Sequence, residues 1–170
     1  VAFITGASGA LGSDVARALH ARGVRVALLG RNTDKLETLA RELGGPEKAL
    51  AIDMNVRNLA SVEAAAKSAA EHFGGIDIVI AGAGMVTTEL VEDYSATGFV
   101  DDIDTNLNGV WRTIKATLPY LRESKGHVSI IASLASFIHM PEISAYSASK
   151  AGVLALANSL RLELDGSGVT

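Results

Sequence analysis

Residues 1–12 read VAFITGASGALG: an apolar run from Val1 to Thr5, glycines at positions 6, 9 and 12, and a helical pattern opening near Leu11. A strand that dissolves into glycine where a helix begins is a turn made for close approach. Without side chains at Gly6 and Gly12, backbone amides can reach a pyrophosphate, the helix can pack tightly, and its dipole favours an anion. The spacing departs from G-x-G-x-x-G because Ser8 stands at the middle glycine. The stretch is read as a dinucleotide-binding turn, with a ligand-free strand-to-helix turn as the alternative.

Beyond this turn the apolar pattern alternates between short and long segments. Strands are predicted at Val1–Thr5, Val24–Leu29, Lys48–Ile52, Ile76–Ala81 and Val128–Ala132. Helices are predicted near Leu11–Arg22, Asp34–Leu43, Leu59–Phe73, Thr97–Arg122 and Ala145–Leu164, with Gly23, Gly44 and Gly74 each closing one. Pro119 should kink or end its helix near Tyr120. Such alternation implies crossovers and a parallel sheet covered on both faces. The fold class is therefore α/β, a doubly wound, Rossmann-type parallel sheet in one domain spanning residues 1–170. Both ends read as cut, with Gly166–Thr170 as a turn entering another strand, so the chain is expected to stop before the last strands.

Composition narrows the partners. A formal net charge of −4 and a pI near 5.5 leave no basic stripe for a phosphate backbone, so nucleic acid is not expected. The chain contains no cysteine, which removes disulfides, thiolate nucleophiles and cysteine metal sites. The stretch Val128–Met140 is too short and serine-rich to cross a bilayer, and no charged-then-apolar leader is expected before Val1. A cytoplasmic protein with no membrane partner is expected. His20, His72, His127 and His139 do not cluster, and no metal site is predicted.

The ends of the strands select the nucleotide. Gly30 and Arg31 follow the second strand, where an acidic residue would accept from a ribose 2′-hydroxyl and an arginine would pair with a 2′-phosphate. With no carboxylate there, Arg31, helped by Ser8 or Asn32, favours NADP, with NAD as the alternative. After the third strand, Asp53 and Met54 fall where the adenine would lie, although Asp53 could equally cap the next turn. Ala81-Gly82-Ala83-Gly84 would let a cofactor lie against the backbone, as would Ala10 and Leu11 in the first loop. The polar stretch Met85–Ala96 could line a site or merely connect elements.

The stretch SLASFIHMPEISAYSASK carries Ser133, then Tyr146 thirteen residues on, then Lys150 four residues later. Tyrosine and lysine at i and i+4 share a helix face. An ammonium roughly 5 Å from a phenol of pKa about 10 offers about 3 kcal/mol at an effective dielectric near 20, enough to bring the hydroxyl into proton-transfer range. Ser133 could hold a substrate oxygen, and Phe137, Met140 and Ile143 could form an apolar substrate wall or ordinary packing.

Taken together, these motifs resemble the short-chain dehydrogenase/reductase family over essentially all 170 residues. Thr5-Gly6-x-x-x-Ala10-x-Gly12 is similar to the family's nucleotide loop, Asp53 to its adenine-contacting aspartate, and Ala81-Gly82-Ala83-Gly84 stands where N-N-A-G is usual. Asn106, Ser133, Tyr146 and Lys150 match the catalytic tetrad. The resemblance implies hydride transfer between NADP(H) and a secondary alcohol or ketone. Tyr146 would act as general acid/base, Lys150 would also bind the nicotinamide ribose, and Asn106 would hold a water leading from Lys150. Ser133, Met140 and Tyr146 are the expected substrate contacts, and a homodimer or homotetramer is implied. An inactive NAD(P)-binding sensor and a sugar-nucleotide epimerase or dehydratase are the rival readings. Loss of both asparagines at Ala81 and Gly82 removes side-chain hydrogen bonds that steady the central strand in relatives.

Overall fold

A computed structural model describes residues 1–170. Strands β1 (Ala2–Thr5), β2 (Val26–Gly30), β3 (Ala49–Asp53), β4 (Ile78–Ala81) and β5 (His127–Ile130) form one sheet in the order β3-β2-β1-β4-β5, and every pairing is parallel. Helices α1 (Ala10–His20), α2 (Thr33–Glu42), α3 (Leu59–Phe73), α4 (Ala96–Ile103), α5 (Gly109–Ser124) and α6 (Ser144–Glu163) make the crossovers. Parallel neighbours require such crossovers, because no hairpin can join them.

The central strand explains the two-layer covering. All four residues of β1 are buried, and successive side chains point to opposite faces. Ala2 and Ile4, with Val26 and Leu28, pack against Ala16 and Leu36 from α1 and α2. Phe3, Ala27, Leu29 and Val79 pack against Val62, Ala66 and Phe73 of α3. Strand order reverses around β1, since β2 lies on one side and β4 on the other, and this opens a crevice at the carboxyl ends of both.

Two departures from expectation concern the long helix. Pro119 neither ends nor shortens it at Tyr120, because α5 runs on to Ser124. Burial of Thr117 and Leu121 on either side of the proline outweighs the hydrogen bond it removes. Between α4 and α5 the chain forms a π-turn at Asp104–Asn108, in which the Gly109 amide donates to the Asp104 carbonyl five residues back. At the open edge of β5, the Val128 amide donates to the Thr170 carbonyl and the Thr170 amide to the Gly126 carbonyl. These are the rungs a sixth parallel strand would make, as the turn before Thr170 predicts. No helix is long and apolar enough to cross a membrane.

Candidate active site

A cleft of about 320 Å³ lies at the carboxyl ends of β1, β2 and β4. Gly6, Ser8, Ala10, Leu11, Gly12, Arg31, Met54, Gly82 and Ala83 line it, all of them positions singled out from the sequence. The loop has room only for glycine where it matters most. A Cβ on Gly6 (φ +74°) would sit 2.9 Å from the Ala83 Cα, and one on Gly12 would sit 2.3 Å from the Gly6 carbonyl oxygen. The start of α1 is also left open toward the cleft. Side chains of Asn32, Asn58 and Ser95 cap α2, α3 and α4, whereas Gly9 at the head of α1 offers no side-chain cap and the first turn holds no acidic residue. Free amides, the positive end of a helix dipole and a side-chain-free floor fit the pyrophosphate of a dinucleotide.

Five predicted cofactor contacts are not among the residues lining this cleft: Tyr146 and Lys150, on α6 beyond its Gly84 end, and Asn32, Asp53 and Ala81. Asn32 spends its side-chain oxygen on the Lys35 amide at 3.1 Å as the α2 cap. Asp53 ends β3 opposite Gly30 and is exposed, and the wall beyond it is formed by Met54, Asn55, Val56 and Arg57. Ala81 is buried in the sheet, and its carbonyl accepts from the Ile131 amide at 3.1 Å, so it supports the cleft from beneath. A residue read only as part of the glycine loop also holds the end of β4. The Thr5 hydroxyl accepts from the Gly82 and Ala83 amides at 3.1 and 3.2 Å, tying β1 to the end of β4.

At the Gly84 end of the cleft, elements far apart in sequence converge. Asn106 is fully buried in the π-turn; its side chain accepts from the Met85 amide and donates to the Met85 carbonyl, each at 2.8 Å, and donates to the Ser149 hydroxyl at 3.2 Å. Lys150, buried on α6, donates from Nζ to the Ile131 carbonyl at 2.7 Å, and this nitrogen lies 5.8 Å from the centre of the Tyr146 ring. A Cβ on Gly84 would stand 3.2 Å from the Asn106 Oδ1 and 3.9 Å from the Lys150 Nζ. Ser133 caps the short 3₁₀ turn Leu134–Ser136, its oxygen accepting from the Ala135 amide at 3.1 Å, and Ser136 ties that turn to the Lys150 carbonyl at 2.9 Å. Met140 is exposed on the loop that follows.

The π-turn is held by a carboxylate that the sequence did not reveal. Asp104 accepts from Arg112 at 2.8 Å and from Asn108 at 2.9 Å, and Arg57 of the cleft wall lies 3.4 Å away while also pairing with Asp101. Burial alone would raise the Asp104 carboxyl, but donation from Arg112 and Asn108, with the charge of Arg112, holds it below the usual carboxylate range. A second acid pins the segment after β4. Asp102, fully buried on α4, accepts from the Thr87 amide, the Thr87 hydroxyl and the Tyr94 hydroxyl, each at 3.0 Å. Burial, with Asp102 as acceptor, raises the Tyr94 phenol above its ordinary value. Burial lowers the Lys150 ammonium below the usual lysine value.

Comparisons with known proteins agree with this geometry. The family described as short chain dehydrogenase matches residues 1–170. An uncharacterized oxidoreductase of Staphylococcus epidermidis is 35% identical over 170 residues, covering 99% of this chain and 73% of that protein. Another from Staphylococcus aureus is 36% identical, with the same coverage of 99% and 73%. Among solved structures, an alcohol dehydrogenase from the archaeon Thermococcus sibiricus complexed with 5-hydroxy-NADP superposes with a TM-score of 0.91 at 36% identity, over 95% of this chain and 70% of that one. Sorbitol-6-phosphate 2-dehydrogenase from Erwinia amylovora superposes with a TM-score of 0.94 at 27% identity, over 100% of this chain and 68% of that one. With an uncapped helix and bare glycine floor at the crevice, and a whole-chain match, the chain belongs to the short-chain dehydrogenase/reductase family of NAD(P)-dependent oxidoreductases.

Proposed function

We propose that this protein transfers a hydride between NADP(H) and a secondary alcohol or ketone, with Tyr146 as the proton donor and acceptor. The observation that carries the reading is the buried Lys150 Nζ, 5.8 Å from the Tyr146 ring at the Gly84 end of the cleft. Gly6, Ser8, Ala10, Leu11, Gly12, Gly82 and Ala83 would hold the dinucleotide, which supplies or receives the hydride when bound. Charge then develops on the substrate oxygen, and the Tyr146 hydroxyl delivers a proton to it or removes one from it. Lys150 favours the phenolate by its charge and is oriented by the Ile131 carbonyl. Ser133 directs its hydroxyl at the same substrate oxygen while the Ala135 amide steadies it. Asn106, tied to Met85 and Ser149, keeps the π-turn in register behind Lys150.

NADP preference is supported by Arg31 and Ser8 on the cleft wall and by the lack of a carboxylate at Gly30, whose added Cβ would meet the Ser8 hydroxyl at 3.2 Å. It is also supported by the dinucleotide held by the Thermococcus sibiricus relative. Both solved relatives are named for alcohol oxidation, in keeping with an alcohol or ketone substrate. The reading carries with it a cytoplasmic enzyme working as a homodimer or homotetramer. A groove of about 590 Å³ between α5 and α6, lined by Trp111, Leu118, Pro119, Leu156 and Leu160, supports self-association. Turnover of ketones by the full chain with NADPH and NADH, run beside Tyr146→Phe, tests the proposal. The variant should bind NADPH as the parent does and lose turnover by about 10²- to 10⁴-fold; comparable activity in the variant would remove Tyr146 from the role.

A further inference from the structure

Two loops adjoin the Tyr146–Lys150 helix, one beginning after Gly84 beside the Lys150 Nζ and the other running into α6, and both display apolar side chains to solvent. Residues 85–94 follow β4 and expose Val86, Leu90 and Val91, while residues 133–143 follow β5 and expose Leu134, Phe137, Ile138 and Met140. Seven of the molecule's twelve exposed large hydrophobic residues thus fall on two loops that are hydrogen-bonded to each other, one of them leading into the helix that carries Tyr146. Exposed apolar groups on this scale mark a binding surface more often than chance.

The exposure is built in rather than the result of an unattached segment. Asp102, fully buried, takes three hydrogen bonds from Thr87 and Tyr94 and so fixes the first loop at two points. Asn106 fixes its beginning through Met85. The Glu89 amide donates to the Glu142 carbonyl at 2.8 Å, joining the two loops directly, and Glu142 adopts a left-handed backbone (φ +67°) that a residue with a side chain takes only when its surroundings impose it. A backbone held this firmly, with its apolar side chains facing out, presents them to something.

Charge says what that is. No lysine or arginine occurs between Lys67 and Arg112 or between Lys125 and Lys150, so the one basic side chain on either loop is His139. Glu89, Glu92, Asp93 and Glu142 stand in the same loops, and none of them is in a salt bridge. A phosphorylated or carboxylated substrate lying along these loops would find acidic side chains and no lysine or arginine in either of them. We infer that the substrate of this enzyme is an uncharged, predominantly apolar carbonyl compound or its alcohol, gripped by Val91, Phe137 and Met140 and selected against anions by Glu89 and Glu142. This rests on the oxidoreductase reading above.

The test compares 2-octanone with 7-oxooctanoate, the same chain ending in a carboxylate, using the full chain and NADPH at about pH 8, where imidazole is neutral, and about 50 mM salt, where screening is weak. The parent should prefer 2-octanone at least tenfold in kcat/KM. In Glu89→Gln/Glu142→Gln that preference should shrink severalfold, and Phe137→Ser should raise KM for 2-octanone about tenfold with an unchanged Tm, as expected for losing most of one buried aromatic contact. Equal or faster turnover of 7-oxooctanoate, or an unaltered preference in the double variant, overturns the inference while leaving the hydride-transfer reading intact. A Phe137→Ser variant with a lowered Tm and an unaltered KM also overturns it, because the apolar loop would then be covered by protein. Turnover of neither probe, nor of any ketone in a wider panel, instead removes the enzyme reading and this inference with it.

Discussion

The wall of the cleft formed by β1 and α1 is made largely of absent side chains, whereas the wall formed by α4, α5 and α6 is made of side chains that meet from distant positions. On the first wall, Gly6 and Gly12 pass so close to neighbouring backbone that no Cβ fits, and the amides at the start of α1 face the cleft uncapped. On the second, Asn106 reaches Met85 and Ser149, Asp104 gathers Arg112 and Asn108, and Lys150 reaches Ile131. A substitution on the first wall should therefore act by intrusion, and one on the second by leaving a buried group without its partner. Intrusion perturbs fold and cofactor together, while removal of one polar group separates chemistry from binding.

Lys150→Met should separate them furthest. Turnover is expected to fall by about 10²- to 10⁴-fold through loss of the proton-transfer partner, with a melting temperature somewhat below the parent's because the Ile131 carbonyl loses its donor. The sign of its pH dependence follows from the direction of the shift. The folded lysine has a value below the ordinary one, so the charged form is disfavoured by folding and the parent gains stability as pH rises from that lowered value toward about 10.4. The variant has no such slope, so its deficit in thermal melts should be smallest near neutrality and grow in alkali. A variant that melts well below the parent at every pH would make Lys150 a structural residue and blur the contrast between the walls.

Gly12→Ala should do the reverse and cost both properties at once. Its Cβ would lie 2.3 Å from the Gly6 carbonyl oxygen, a contact that forces the loop apart. Overpacking of this kind costs about 1–3 kcal/mol, read as a lowered denaturation midpoint together with weakened NADPH binding in calorimetry. Arg31→Ala should be narrower still, weakening NADPH about ten- to a hundredfold, the equivalent of one charge-assisted contact, while leaving NADH affinity unchanged. Equal losses for both cofactors would place the 2′-phosphate elsewhere.

The smallest effect is expected at Asp104→Asn, at about 1 kcal/mol of stability. Because the folded carboxyl sits below its ordinary value, the stabilisation it provides is complete above about pH 4 and is lost as pH falls through the lower folded value. Parent and variant should therefore converge in acid. Turnover should fall severalfold with NADPH affinity unchanged, as the π-turn that seats Asn106 loosens; retention of full turnover would show that the turn keeps its shape without this carboxylate.

Legibility followed the same division. The glycine loop, Arg31 and the Tyr146–Lys150 spacing could be read in the chain because each depends on neighbours within a turn of backbone. Asn106 was singled out only through a family resemblance, since an asparagine inside a helical pattern looks like any solvated residue. Asp102 and Asp104 passed unnoticed for the same reason. Thr87 and Tyr94 lie in the loop before α4, and although Asn108 and Arg112 follow Asp104 at helical spacing, no local pattern marks an acid as buried. Pro119 does not end its helix, because Thr117 and Leu121 on either side of it are buried in the packing of α5.

Alternating apolar periods were enough to specify five parallel strands with helices between them, because each strand or helix must hide its own apolar face whatever lies around it. Missing side chains in the glycine loop were likewise enough to specify where an anion would rest. Three-dimensional packing alone settled that the Thr5 hydroxyl ties β1 to the end of β4, that Asn32 caps α2, and that a π-turn seats Asn106. Those outcomes depend on hydrogen bonds between groups remote in sequence, and a buried polar group takes whichever partner the finished fold brings within reach.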